Sequence, residues 1–181
     1  GASEEGRPVE ERLKSAIRDV PDFPKAGILF KDITPILSDL VLFRDTVEAL
    51  ANPFRKDRIS KVVGIESRGF LFGPPVAFQL GAGFAPARKP GKLPRETVRE
   101  TYALEYGSDS LEIHRDALRR GERVLVVDDL LATGGTASAA ARLAEKIGAE
   151  VVGMAFVVEL EFLGGRAKLP GRRIHALVRY R

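Results

Sequence analysis

The sequence predicts an α/β fold with a central, mostly parallel sheet flanked by helices and a small N-terminal hood. Unbroken aliphatic runs, such as residues 123–127, are typical of strands covered on both faces, as in parallel sheets. Segments with helical spacing follow these runs, and a repeated strand–helix–strand order favours a parallel sheet. The apolar but proline- and glycine-rich stretch at about residues 21–37 needs a surface to lie on, so we interpret it as the hood.

The composition limits the possible partners. With 181 residues, the chain is predicted to form one domain that buries roughly 70% of its unfolded surface. Apolar runs stay well below the ~20 residues that span a bilayer, no signal peptide is recognisable and cysteine is absent, so we expect a cytoplasmic protein without a membrane partner. The net charge of +4 comes from basic residues interleaved with acidic ones, which favours a small anionic substrate over nucleic acid.

Periodicity and chain-breaking residues predict the individual elements. An amphipathic helix is expected near the N-terminus, and further helices before the first strand, after that strand and after the central strand. The alanine-rich helix after the central strand should end at Gly148, since glycine commonly follows the last helical turn. Helices are predicted over residues 4–20, 43–51 and 70–80, strands over residues 59–65, 83–88, 109–114, 151–160 and 174–180, and a short turn or helix over residues 163–169.

The central stretch combines two adjacent acids with a loop of small residues. Asp128 and Asp129 end the apolar strand, where ligands of parallel sheets usually bind. Residues 132–135 leave backbone N–H groups accessible to an anion near a helix N-terminus, and Thr136 could cap that helix. The acids would repel the anion, so sugar hydroxyls or a water-held metal suit them better. The stretch predicts a cradle for a phosphorylated sugar, the alternative being an ordinary strand and turn with two solvated acids.

Two further segments carry charged residues. The turn Glu66–Gly69 follows a strand and precedes a helix, so we expect it on the same edge of the sheet. The second segment is a basic run without regular structure. Such a run can close over a polyanion, or it can be a solvated face. Carboxylates at positions 109, 112 and 116 have contexts suited to surface strands, and His114 and His175 are expected to be structural. The basic run contains Arg88, Lys89, Lys92 and Arg95.

The segment Val126–Thr136 resembles the phosphoribosyl pyrophosphate motif of the type I phosphoribosyltransferases, and Glu66–Gly73 resembles the second signature of that family. The resemblance covers nearly the whole chain. It implies a cis peptide at Glu66–Ser67 and a flexible catalytic loop at about residues 89–107. It assigns ribose 5-phosphate to Asp128, Asp129, Ala132, Thr133, Gly134, Gly135 and Thr136; pyrophosphate to Ser67, Arg68, Arg88, Lys89 and Lys92; and the base to Leu29, Phe30, Lys31, Arg68 and Leu130.

The resemblance also implies a reaction. Phosphoribosyl transfer from phosphoribosyl pyrophosphate to adenine would give AMP and pyrophosphate, with Mg²⁺ held through substrate and water and a homodimer as the assembly. Glu105, Lys89 and Arg68 would be catalytic, Glu105 as a shielded acid over the base, and Tyr106 would belong to the closing loop. Leu160 or Phe162 would close the base pocket. Two alternatives stay open: the same chemistry on another base, and a non-catalytic protein that senses phosphoribosyl pyrophosphate.

Overall fold

The computed structural model describes residues 6–181, which form the helices and strands that follow. The chain divides into two compact units, the first ending at Ala49 and the second running from Leu50 to Arg181. The helices are α1 Val9–Ala16, α2 Thr34–Ser38, α3 Leu40–Ala51, α4 Gly69–Leu80 and α5 Gly135–Ile147. The strands are β1 Arg18–Pro21, β2 Leu29–Asp32, β3 Lys61–Ile65, β4 Gly83–Ala87, β5 Thr97–Ala103, β6 Ser108–His114, β7 Arg123–Leu131, β8 Glu150–Leu160 and β9 Ile174–Tyr180.

The N-terminal helix is shorter than predicted. Glu4 and Glu5 lie outside the described residues, and α1 ends at Ala16, after which Ile17 is extended. Strand β1 then pairs antiparallel with β2, so that Val20 lies opposite Phe30. A β-branched residue such as Val20 suits a strand as well as the end of a helix, so spacing alone could not decide between them. The stretch predicted as irregular therefore contains one strand of a hairpin and α2.

The second unit is built on a parallel sheet, which confirms the predicted fold class. Five of the strands in residues 50–181 form it in the order β4-β3-β7-β8-β9, with every neighbouring pair parallel. Helix α4 packs against β3, β4 and β7, and α5 packs against β7 and β8. Buried alanines on α5 keep that helix close to the sheet. Because all five strands run the same way, their carboxyl ends meet at one edge.

Two glycines set the distance between α4 and its neighbours. A Cβ atom at Gly64 or at Gly73 would lie 2.6 Å from the ring of Phe84. The helix can therefore lie directly on the ring only because both positions lack side chains. It begins at Gly69, so the proline pair at positions 74 and 75 lies inside it, whereas the sequence placed the pair near its start.

A β-hairpin occupies much of the predicted loop at residues 89–107. Strand β5, which the sequence analysis missed, pairs antiparallel with β6 over seven residue pairs. Val98 and Tyr102 of β5 are buried, as are Leu111 and Ile113 of β6, so the hairpin packs its apolar side into the core. None of the helices in the described part of the chain is long and apolar enough to cross a membrane.

Candidate active site

A cavity of about 840 Å³ lies in the second unit, at the edge where β3 and β7 end. The loops after these strands, α5 and the β5–β6 hairpin line it. The cavity brings together twelve residues that the sequence assigned to function. These are Ser67, Arg68, Lys89, Glu105, Asp128, Asp129, Leu130, Ala132, Thr133, Gly134, Gly135 and Thr136.

The two central acids are buried rather than solvated. Asp128 is 8% exposed and Asp129 is 6% exposed, and the Asp129 backbone N–H donates to Asp128 Oδ1 at 2.8 Å. Arg68 Nε donates to Asp129 Oδ2 at 2.6 Å. Burial, followed by the negative charge of Asp129, raises the pKa of the Asp128 carboxyl well above its ordinary value. Because both acids are buried, the alternative of two solvated acids on an ordinary turn is wrong. Burying two adjacent carboxylates is costly for folding.

Gly69 lies so close to Asp128 that a side chain at this position would be crowded. A Cβ atom at this position would lie 3.0 Å from Asp128 Oδ1 and 3.2 Å from the carbonyl oxygen of Val127. Gly69 is the first residue of α4, so the missing side chain lets the helix begin directly beside the acids.

The loop between β7 and α5 has the geometry of an anion cradle. Gly134 has φ +90° and precedes α5, whose first residue is Gly135. The positive φ angle explains the glycine at position 134, since side chains disfavour that conformation. Thr136 lies in the first turn of α5, so the expectation that it caps the helix is wrong and Gly134 occupies the cap position. The first residues of α5 line the cavity, and the first N–H groups of a helix have no partner within it, so an anion could bind there.

The predicted cis peptide bond between Glu66 and Ser67 is present. Glu66 Oε1 accepts a hydrogen bond from the backbone N–H of Lys89 at 2.8 Å and one from Arg88 Nε at 3.1 Å. This carboxylate therefore ties the turn after β3 to the start of the basic run after β4. It also holds the Arg88 guanidinium, and Arg88 is not among the residues that line the cavity.

Lys89 reaches the cavity with its side chain paired. Its Nζ donates to the hydroxyl of Tyr102 at 2.7 Å and to Asp109 Oδ2. Partial burial lowers the pKa of Lys89, but the hydrogen bonds to Asp109 and Tyr102 outweigh it and raise the pKa above its ordinary value. The same hydrogen bond from Lys89 lowers the pKa of Asp109. The cation proposed for pyrophosphate thus has an internal counter-ion.

Two acids differ from the sequence-based expectation. Glu105 lines the cavity but is exposed, so the shielding expected for an acid over the base is absent. Glu112, expected on the surface, is 6% exposed and accepts from the backbone N–H of Gly91 and from Arg99. Burial raises the pKa of Glu112, but the hydrogen bonds from Gly91 and Arg99 outweigh it, and the pKa lies below its ordinary value.

The other assigned residues lie elsewhere. Lys92 is exposed, and Tyr106 is 89% exposed at the tip of the hairpin. Neither is among the residues that line the cavity. Leu29, Phe30 and Lys31 lie on β2 in the first unit, where Phe30 packs edge-on against Phe23 and Lys31 Nζ donates to Asp19 at 2.6 Å.

Among the residues that line the cavity, Tyr102, Asp109 and Lys168 have polar side chains that the sequence analysis did not propose as functional. The alternating pattern of β6 placed Asp109 on a strand, and recognition of β5 as its partner would have placed Tyr102 opposite it. No local signal distinguishes Lys168, which lies on a 3-10 helix 32 residues after Thr136 in the sequence.

A parallel α/β sheet with paired acids and a glycine-containing loop at its carboxyl edge is the arrangement expected of a protein that binds a phosphorylated sugar. A model of the phosphoribosyl transferase domain matches residues 42–170. The chain is 59% identical to adenine phosphoribosyltransferase of Anaeromyxobacter sp. strain Fw109-5, covering 94% of this chain and 96% of that one. The chain belongs to the phosphoribosyl transferase family, and within it to the adenine phosphoribosyltransferases.

Solved structures agree with this assignment. Adenine phosphoribosyltransferase of Rhodothermus marinus has 54% identity and a TM-score of 0.92, covering 95% of this chain and 98% of that one. The Saccharomyces cerevisiae enzyme, solved with D-2,5-dideoxy-2,5-imino-altritol 1,6-bisphosphate and adenine, has 46% identity and a TM-score of 0.88, covering 93% and 98%.

Proposed function

We propose that the chain transfers the phosphoribosyl group of phosphoribosyl pyrophosphate to adenine, giving AMP and pyrophosphate in purine salvage. One observation carries the proposal. A single cavity contains the anion loop, the paired acids and the Lys89–Arg68 cations, in a chain that belongs to the adenine phosphoribosyltransferases. Each of these groups suits a different part of the substrate.

The loop of residues 132–136 binds the 5′-phosphate. Its N–H groups and the N-terminus of α5 offer positive partial charge, and Thr133 and Thr136 add hydroxyl donors. This phosphate does not react, so its binding energy positions the sugar carbon that does.

Asp128 and Asp129 bind the ribose hydroxyls. Departure of pyrophosphate leaves positive charge on the sugar carbon, and negative charge fixed nearby stabilises it. Arg68 neutralises part of the charge of Asp129 in this structure. Burial and the neighbouring charge of Asp129 raise the pKa of Asp128.

Pyrophosphate is bound by Ser67, Arg68, Arg88, Lys89 and Lys92. Lys89 exchanges Asp109 for pyrophosphate oxygens, and Arg88 exchanges Glu66 in the same way. Both exchanges replace a single carboxylate with a more highly charged anion, which favours them.

Mg²⁺ would be bound mainly by the substrate and water and less by protein side chains. In residues 6–181, no three acidic or histidine side chains form a cluster that could hold a metal ion. Magnesium commonly binds substrate phosphates and water with one or two carboxylates, and Asp128 and Asp129 would hold it through water. When bound, the ion would neutralise charge that develops on the leaving pyrophosphate.

The base is the purine adenine. Leu130 lines the cavity, and we assign Leu29, Phe30 and Lys31 to base recognition from the family pattern, with Leu160 or Phe162 closing the pocket. Glu105 acts on a ring nitrogen of the base, with Tyr106 in the loop that closes over it. Because Glu105 is exposed here, its shielding depends on that closure or on the bound base.

A homodimer and a cytoplasmic location belong to the same proposal. Helix α4 exposes Leu71 at 40% and Phe78 at 90%, and such apolar exposure favours a protein partner. A second copy of the chain is the partner that the family pattern implies.

A turnover assay tests the function. The chain is incubated with phosphoribosyl pyrophosphate, Mg²⁺ and one base at a time, and nucleotide products are separated by chromatography. We expect AMP from adenine. Production of another nucleotide in its place would establish another base, and tight binding of phosphoribosyl pyrophosphate without any product would favour a non-catalytic sensor.

A further inference from the structure

An ion pair between a buried acid, Glu159, and a partly exposed base, Arg166, lies next to the phosphate loop and was not part of the site assigned from sequence. The Glu159 side chain is 3% exposed at the carboxyl end of β8, beside Leu131 of β7. Arg166 Nε donates to Glu159 Oε2 at 2.8 Å, and an Arg166 terminal nitrogen donates to Oε1 at 2.9 Å. This two-pronged contact fixes the plane as well as the position of the guanidinium.

The ion pair is connected to the phosphate loop through Gly165. A Cβ atom at Gly165 would lie 2.5 Å from the carbonyl oxygen of Ala132, and one at Gly134 would lie 2.5 Å from the carbonyl oxygen of Gly165. The two backbones therefore touch with no space for a side chain. Because Arg166 follows Gly165 directly, holding Arg166 also holds the backbone on which the loop rests.

The same short helix brings a cation to the cavity. Gly165–Lys168 form one 3-10 helix, and Lys168 lines the same cavity as Ala132 and Thr133. Lys168 is exposed, so its side chain can reach an anion in the cavity without rearrangement of the core.

We propose that Glu159 and Arg166 are positioning residues for the 5′-phosphate subsite, and that Lys168 is a further binding residue of that subsite. The Glu159–Arg166 pair fixes the 3-10 helix, Gly165 supports the loop from behind, and Lys168 adds a positive charge in front. The inference rests on the proposed function, which assigns the 5′-phosphate to this loop. Displacements of about 1 Å in a binding loop can cost 10²-fold in rate, so a rigid support has a functional effect.

Arg166→Lys tests the positioning role, because lysine keeps the charge beside Glu159 and loses the two-pronged geometry. Ribose 5-phosphate and pyrophosphate are titrated separately by calorimetry. We expect the dissociation constant for ribose 5-phosphate to rise about tenfold and the KM for phosphoribosyl pyrophosphate to rise similarly, with a smaller change in kcat. Affinity for pyrophosphate should stay within about twofold, because its assigned residues lie on other loops.

Lys168→Ala is the second variant, and the exposed position should leave folding intact. It should raise the dissociation constant for ribose 5-phosphate about tenfold and change that for pyrophosphate by no more than about twofold. Arg123→Lys is the matched control, since Arg123 pairs with Glu150 at the amino end of β7, and it should change neither affinity.

The outcomes separate this inference from the proposed function. Normal ribose 5-phosphate binding by both variants would overturn the inference, as would an equal loss of pyrophosphate affinity, which indicates general loosening. If Arg166→Lys does not fold, Glu159→Gln, which keeps the size of the side chain and weakens the pair, decides the positioning role by the same criterion. If the unmodified chain makes no AMP from adenine, the proposed function fails, while the ribose 5-phosphate titrations still report on the subsite.

Discussion

Asp128 is a carboxylate of the proposed binding site whose burial lowers the stability of the folded protein. It is buried beside a second acid, and its pKa is raised by burial and by that neighbour. A carboxyl whose pKa is raised in the folded state makes the protein less stable as pH rises from the unfolded pKa to the folded one. The site therefore retains an arrangement that stability alone would not favour, as is common for binding sites.

Asp128→Asn should remove this pH-dependent cost. Below the ordinary pKa of 3.8, wild type and variant should differ least, because Asp128 is then protonated in both the folded and the unfolded state. As pH rises above 3.8, the variant should become progressively more stable relative to wild type, and its transfer activity should be low. Urea unfolding at a series of pH values measures the free-energy difference; a difference that is constant from pH 4 to pH 8 would contradict the shift.

Lys89 and Asp109 should act in opposite directions on pyrophosphate. Lys89→Ala removes a cation from the cavity and should lower kcat about 10²-fold or more, the size expected for loss of one electrostatic stabiliser. Asp109→Asn frees Lys89 from its counter-ion and should tighten pyrophosphate binding. Lys56→Ala, at an exposed site, serves as the control. Weaker pyrophosphate binding by Asp109→Asn would show that Asp109 orients Lys89 instead of competing for it.

At the scale of elements, the β5–β6 hairpin and the basic run form one connected structure. Glu112 of β6 binds the Gly91 N–H at 3.1 Å and Arg99 Nε at 3.0 Å, and its backbone exchanges hydrogen bonds with Arg88. The hairpin thereby holds the run that carries Lys89. Glu112, which lies outside the cavity, thus fixes the backbone on either side of Lys89.

Glu112→Gln should destabilise this connection. We expect a loss of about 1.5–3 kcal/mol at pH 7, the usual value for hydrogen bonds to a charged group. The folded pKa of Glu112 is lowered, so its contribution is fully present above the unfolded value of 4.5 and is lost as pH falls through the folded pKa. The difference from wild type, measured by urea unfolding, should therefore shrink in acid. Glu150→Gln is the control at an exposed pair, and an equally pH-dependent loss there would contradict the assignment to Glu112.

Sequence patterns predicted well the elements that are apolar on one face or along their whole length. Strands β7 and β8 and helices α3, α4 and α5 agree with prediction to within a few residues, because burial on the parallel sheet imposes continuous hydrophobicity. Strands β1, β2 and β5 were missed, and all three belong to two-stranded hairpins with exposed residues; β6 was predicted because its residues alternate. Their pairing depends on partners that local patterns do not identify.

Site residues divide in the same way. Asp128 to Thr136 are contiguous, so one strand–loop–helix junction predicted them together. Lys168 and Tyr102 reach the cavity only through tertiary structure, and neither belongs to a recognisable motif. The burial of Glu112 was missed for a related reason, since its partners come from a turn and from the strand paired with its own.

At the scale of the whole molecule, the exposed apolar face of α4 predicts assembly. Phe78→Glu should convert the proposed homodimer to a monomer, because a charge on a 90% exposed phenylalanine prevents burial of that face. Sedimentation velocity measures the mass. Gln79→Glu, on the neighbouring exposed position, should leave the dimer intact. A monomeric wild type, or a Phe78→Glu variant that still dimerises, would place the interface elsewhere.

A crystal structure of the chain with AMP and pyrophosphate is the most direct test of the site as a whole. We predict that the AMP phosphate lies against the N–H groups of residues 132–136, with the ribose hydroxyls on Asp128 and Asp129 and pyrophosphate between Arg68 and Lys89. A phosphate bound elsewhere, or pyrophosphate occupying the loop of residues 132–136 while AMP is present, would contradict it.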